Sequence, residues 1–160
     1  MKKLILFLLT LILLVATACA SGNTDSTLST DEATTGEPMN ITITITNAAG
    51  KTHTLNATLA ENKSAVAFAE LLKKGAVTVA MHDYGSFEKV GSLGSSLLRS
   101  DTQITTEAGD IILYQGNQIT IYYDTNSWNF TRLGKINGVT QAELKAILGN
   151  GDVTAVFALF

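Results

Sequence analysis

The chain has 160 residues, enough for one domain with tails, and is 46% hydrophobic but only 16% charged. Its formal charge is −3 and its basic residues form no cluster, which argues against a nucleic-acid groove. A single cysteine excludes an internal disulfide and any multi-cysteine zinc site, while 13 glycines with one proline suit a turn-rich β protein.

The N-terminus reads as an export signal. Met1-Lys2-Lys3 is basic, and residues 4–15 are apolar except for Thr10. That run is shorter than the roughly 20 apolar residues of a spanning helix. Ala16-Thr17-Ala18-Cys19 resembles a bacterial lipobox, in which small residues precede a cysteine that is diacylated and becomes the mature N-terminus. Ala16 stands where lipoproteins usually carry leucine, and Ala16-Thr17-Ala18 also fits an ordinary A-x-A cleavage site. We read residues 1–18 as a signal peptide and Cys19 as the lipidated residue. Loss of Lys2 and Lys3 takes the 11 basic residues to 9 against 14 acidic ones, a charge of −5. Residues 20–38 are rich in Ser, Thr, Gly, Asp and Glu and hold almost nothing to bury, so they form a disordered linker. Fully extended it reaches at most roughly 65 Å; as a coil it averages about 25 Å. The expected address is extracytoplasmic, with the domain lipid-anchored to a bacterial membrane.

The folded domain is expected over residues 39–160. Ile41, Ile43 and Ile45 alternate with threonines, the pattern of a half-buried strand, and residues 52–59 return from a turn at 48–51 as a second strand. Asn62 is placed to cap a helix with Ala65, Phe68, Ala69 and Leu72 on its apolar face; Gly75 ends it. Val77, Val79 and Met81 alternate in a third strand, Tyr84-Gly85-Ser86 turns, and residues 87–90 form a short fourth. Residues 91–106 show little periodicity and read as a long loop. The centre of the domain is a hairpin: residues 111–114, a Gln115-Gly116-Asn117 turn that tolerates positive φ, and residues 118–123, with Ile119, Ile121 and Tyr123 on one face and Thr120 and Tyr122 on the other. Trp128 and Phe130 lead into a seventh strand at 131–136. Thr140-Gln-Ala-Glu143 is a capping box opening a second helix, and residues 153–160 are a closing strand. Eight strands and two short helices without βαβ alternation predict a mainly β domain, a closed eight-stranded antiparallel barrel capped by the helices.

Met81-His-Asp-Tyr-Gly85, Ala108-Gly-Asp-Ile-Ile-Leu-Tyr114, Tyr122-Tyr123, Thr131-Arg-Leu-Gly-Lys-Ile136 and Gly151-Asp-Val-Thr154, in this order, resemble the bacterial and archaeal cyclophilin-like domain family. The resemblance covers about residues 39–160 and implies a cyclophilin-type barrel without an established activity. True cyclophilins isomerise X-Pro bonds with an arginine that hydrogen-bonds near the prolyl nitrogen, weakening the amide resonance that sets the barrier. Their arginine follows a histidine; the corresponding pair here is His82-Asp83, and a carboxylate cannot donate that bond. The Phe and Gln signatures of the proline pocket are not recognisable. We therefore assign no catalytic residue, and Arg132 is the one arginine of the strand region available as a substitute.

His82, Asp83, Glu88 and Lys89 form a polar group at a strand end, either a cleft lining or a solvated turn. Asp110 reads as a turn residue that hydrogen-bonds backbone amides. No metal site is predicted, since His53 and His82 are the only histidines and stand apart, and no cofactor motif is present. Tyr84, Tyr114, Tyr122, Trp128 and Arg132 are the candidate ligand-binding residues, aromatics and an arginine around a barrel mouth that suit a peptide or small molecule. The expected function is a cell-envelope lipoprotein whose cyclophilin-like domain binds a small ligand or peptide without catalysis. The alternatives are an extracytoplasmic prolyl isomerase-like foldase with an altered site and a protein-interaction module.

Overall fold

A computed structural model describes residues 38–160; the expected signal peptide, Cys19 and nearly all of the linker lie outside the described residues. The elements run β1 (Asn40–Asn47), β2 (Thr52–Leu59), α1 (Lys63–Lys73), β3 (Val77–Tyr84), β4 (Glu88–Ser92), β5 (Thr102–Thr105), β6 (Asp110–Tyr114), β7 (Gln118–Tyr122), β8 (Ser127–Ile136), α2 (Gln141–Leu148) and β9 (Val153–Leu159).

Eight antiparallel strands close into a ring in the order β2-β1-β9-β3-β4-β7-β6-β8, and β8 returns to β2. The closing seam is short: Ala57 faces Ile136, Thr58 faces Lys135 and Leu59 faces Gly134. The isoleucines of β1 point inward and are fully buried, as their alternation demands. They meet Phe157, Val79, Ile111, Ile119 and Leu133 in one barrel core. Asn62 caps α1 by accepting from the Ala65 N–H at 2.9 Å, and the helix adds Ala65, Phe68, Ala69 and Leu72 to that core. Thr140 and Glu143 complete the capping box of α2, which adds Leu144 and Leu148.

The expected loop over residues 91–106 needs correction. Gly91 and Ser92 belong to β4, and Thr102–Thr105 form a ninth strand, β5. It lies outside the ring and pairs with Ser127 to Phe130, the half of β8 that β2 leaves free. Strand β8 accordingly begins four residues before the expected start. Between β4 and β5 the chain is pinned rather than loose: Ser64 donates to Leu98 O at 2.5 Å, the Leu97 N–H to Gly116 O at 2.7 Å, and the Ser100 N–H to Thr131 Oγ1 at 2.9 Å.

Candidate site on the outer wall of the barrel

Side chains on paired strands alternate between the barrel core and its outer face. Because Ile119 and Ile121 point inward, Thr120 and Tyr122 point outward, and so do their cross-strand neighbours Val90, Glu88 and Ile112. A second apolar cluster forms there, with Ile112, Tyr122 and Phe130 buried and Phe87, Ile104 and Tyr114 packed against them. The Phe87 ring stacks on Tyr122 at 5.9 Å and 7°, Phe130 tilts against Tyr122 at 5.6 Å, and Tyr84 meets Phe87 edge-on at 6.0 Å. Strand β5 supplies one wall through Ile104, opposite Trp128.

Over this cluster opens a cavity of about 740 Å³, within the range of small-molecule sites. Tyr84, Tyr114, Tyr122 and Trp128 all line it, so four of the five expected residues converge. Tyr84 and Trp128 stand at its edge, 60% and 62% exposed. The location differs from the expected barrel mouth: the cavity lies on the outer wall, since the ring is filled by isoleucines and phenylalanines. Arg132 is not among the lining residues. Its Nη2 donates to Asp110 Oδ2 at 2.9 Å, inside a cluster where Lys135 lies 3.4 Å from Asp110 Oδ1. Asp110 is fully buried and also accepts from the Glu107 N–H at 3.0 Å, the turn role expected of it.

Two polar lining residues carry charge chemistry. Glu88 is 6% exposed, and its Oε2 has no hydrogen-bond partner among the described residues. Burial pushes its carboxyl above the usual range, offset in part by the neighbouring Tyr122 hydroxyl and by His82. Burial and the Glu88 carboxylate in turn raise the Tyr122 hydroxyl well above its ordinary value, so it stays protonated. His82 lines the same cavity from β3. Among the described residues no group of three or more His, Cys, Asp or Glu is placed to hold a metal.

The family model of the cyclophilin-like family matches residues 48–158. The chain belongs to the cyclophilin-like family. A comparison with curated proteins found no match. The cyclophilin-like barrel puts the His82-Asp83 pair on opposite faces. His82 turns to the cavity, while Asp83 turns the other way, 2.7 Å from the Lys89 ammonium and 2.9 Å from the Tyr123 hydroxyl. The polar group of the sequence is thus split between two faces: His82 and Glu88 share the outer cavity, and the buried Lys89 ammonium pairs with the partly exposed Asp83 carboxylate. The cavity lining contains no arginine. Sequence reasoning left Phe87 and Phe130 out of the site and named Glu88 only in a polar group that was either a cleft lining or a solvated turn. For Glu88 the signal was pairing: it stands opposite Tyr122 across β4 and β7, so an outward Tyr122 carries Glu88 outward with it.

Proposed function

We propose that the protein is a cell-envelope lipoprotein, tethered through Cys19, whose cyclophilin-like domain binds a small ligand or peptide in the outer-wall cavity without catalysing a reaction. The observation that carries this reading is the gathering of six aromatic rings, two of them solvent-facing, around one cavity of ligand size. A non-catalytic role is supported by the lining, which offers no arginine to a prolyl amide. The anchor reading rests on the lipobox-like run and on cysteine chemistry: two or three acyl chains hold a protein far more firmly than one.

Trp128 is the only tryptophan and lines both this cavity and a neighbouring hollow beside Arg99 and Asp101, so its emission reports on either, and Tyr84, which lines this cavity and not the hollow, tells them apart. Full-length protein in detergent, screened against capped tetrapeptides and a small-molecule fragment library, should show saturable changes in Trp128 emission that Tyr84→Ala weakens. No saturable response from either library rejects the binding site. A proline-peptide isomerisation assay should show no turnover; turnover abolished by Arg132→Ala would instead establish the foldase. Intact mass of the envelope-extracted protein tests the anchor, because unmodified Cys19, or a start at Ala20 or beyond, contradicts it.

A further inference from the structure

We propose that the outer-wall cavity recognises a primary alkylammonium group, with the Glu88 carboxylate as its counter-charge and the surrounding rings as its walls. This inference rests on the binding reading above and names the chemistry of the ligand.

Two independent features point to that chemistry. The first is Glu88 itself. It is more than nine-tenths buried, it lines the cavity, and its Oε2 has no partner among the described residues. An acceptor left unmatched in a dry site is costly, and a donor brought by a ligand removes that cost. The Tyr122 hydroxyl beside the carboxylate is held protonated and offsets only part of the burial. The second feature is the aromatic wall. Tyr84 and Trp128, the two exposed rings of the lining, offer faces whose negative quadrupole attracts a cation.

Other ligand classes fit less well. An anion meets the Glu88 carboxylate and the ring faces, and the lining has no lysine or arginine to offset them, only His82. A purely apolar ligand leaves Oε2 unmatched. A quaternary ammonium satisfies the rings but has no N–H for Oε2. A primary ammonium has three donors and a compact charge that meet both needs. Such a group can arrive on a small free amine or on a lysine side chain of a polypeptide, and the probes below separate the two sources.

The full-length protein in detergent is titrated, with Trp128 emission as readout, against two matched pairs. One is n-butylammonium and n-butanol; the other is acetyl-Ala-Lys-Ala-amide and its norleucine counterpart. The ammonium member of at least one pair should bind at least about tenfold tighter than its neutral partner, as for a hydrogen bond to a charged group. Glu88→Gln should remove that preference. Preference in the peptide pair alone assigns a polypeptide source, in the butyl pair alone a free amine, and in both an ammonium head sufficient by itself. Equal binding of charged and neutral members to the unsubstituted protein overturns the proposal, and that comparison does not depend on how the variant folds. Preference that survives Glu88→Gln overturns the assignment to Glu88. Silence of all four probes while the unbiased libraries still give binders overturns the ammonium proposal alone; silence of both overturns the cavity as a site.

Discussion

Lys89 and Asp83 face each other across the β3–β4 pair with Nζ 2.7 Å from Oδ2, and the lysine is fully buried. Its ammonium also donates to Gly151 O at 2.5 Å and Gly149 O at 3.2 Å, so three protons find three acceptors. The side chain thereby ties β4 to the segment between α2 and β9. Lys89→Met should cost about 2–4 kcal/mol, because two carbonyls lose their donor along with the ion pair. Asp83→Asn should cost less, about 1–2 kcal/mol, since Asp83 is two-fifths exposed and the lysine keeps both carbonyls. Urea denaturation of both variants checks the order, and a larger loss in Asp83→Asn would contradict this division of roles.

The seam between β2 and β8 depends on a missing side chain. A Cβ on Gly134 would sit 2.5 Å from Thr58 O and 3.1 Å from Leu59 Cα, both backbone atoms that have little room to yield. Gly134→Ala should therefore destabilise the domain by about 2–3 kcal/mol, the scale of overpacking against rigid neighbours. Amide exchange should accelerate first in Ala57 to Leu59 and Gly134 to Ile136, the residues paired across that seam. Uniform acceleration throughout the barrel would place the strain elsewhere.

Ser64, buried on α1, holds the segment between β4 and β5 through Leu98 O and Ser100 Oγ, at 2.5 and 2.9 Å. Ser64→Ala should cost about 1–2 kcal/mol. It should also raise proteolytic cleavage within residues 94–101 while the rest of the domain stays protected. Unchanged cleavage there would mean that the Leu97–Gly116 and Ser100–Thr131 bonds suffice without Ser64.

Burial and the Asp83 carboxylate push the Tyr123 hydroxyl from 10.0 up to about 12. A folded-state value above the unfolded one means that this contribution is intact below pH 10 and is lost as pH rises toward 12. Tyrosinate absorbance of the protein minus that of Tyr123→Phe should show one group titrating at about 12; a transition near 10 would sink the assignment.

Glu88 has the opposite effect to a paired carboxylate. Its folded-state value is raised, chiefly by burial, so the folded domain is favoured while the group is neutral, and stability is lost as pH rises through that value. Glu88→Gln should accordingly equal the parent in acid and exceed it in stability at neutral pH, measured by thermal melts across pH. A variant less stable than its parent at neutral pH would show that the charge is structurally favourable. Asp83, whose partial desolvation is outweighed by Lys89 and Tyr123 so that it is held below the usual range, follows the reverse course and weakens the fold as pH falls.

The ring was legible because its strands repeat every second residue against one core. Ile41, Ile43 and Ile45, and Ile119 and Ile121, announce their inward face, and positive φ at Gln115 and Gly116 makes the expected turn of the central hairpin. Strand β5 was not legible. Thr102-Gln-Ile-Thr105 has one large apolar residue, and it is held by pairing to β8 outside the ring, a relation that periodicity does not record. Tyr84, Tyr114, Tyr122 and Trp128 were recognisable as a set by residue type. Arg132 was drawn to Asp110 instead, because a buried carboxylate needs a donor more than an open cavity does. That the cavity lies on the wall follows from the opposite facing of Tyr122 and Ile121, which needed only the barrel core to be located first.

Strand β9 lies between β1 and β3, separating two strands that the ribosome delivers much earlier. Until residues 153–159 emerge, β1 and β3 each expose a bare edge, ready to pair with any other extended segment. The cylinder therefore forms only after the last stretch of the domain has been released, whichever compartment it is released into. During that interval the isoleucine-and-threonine ribbons depend on something other than their own fold to keep them apart.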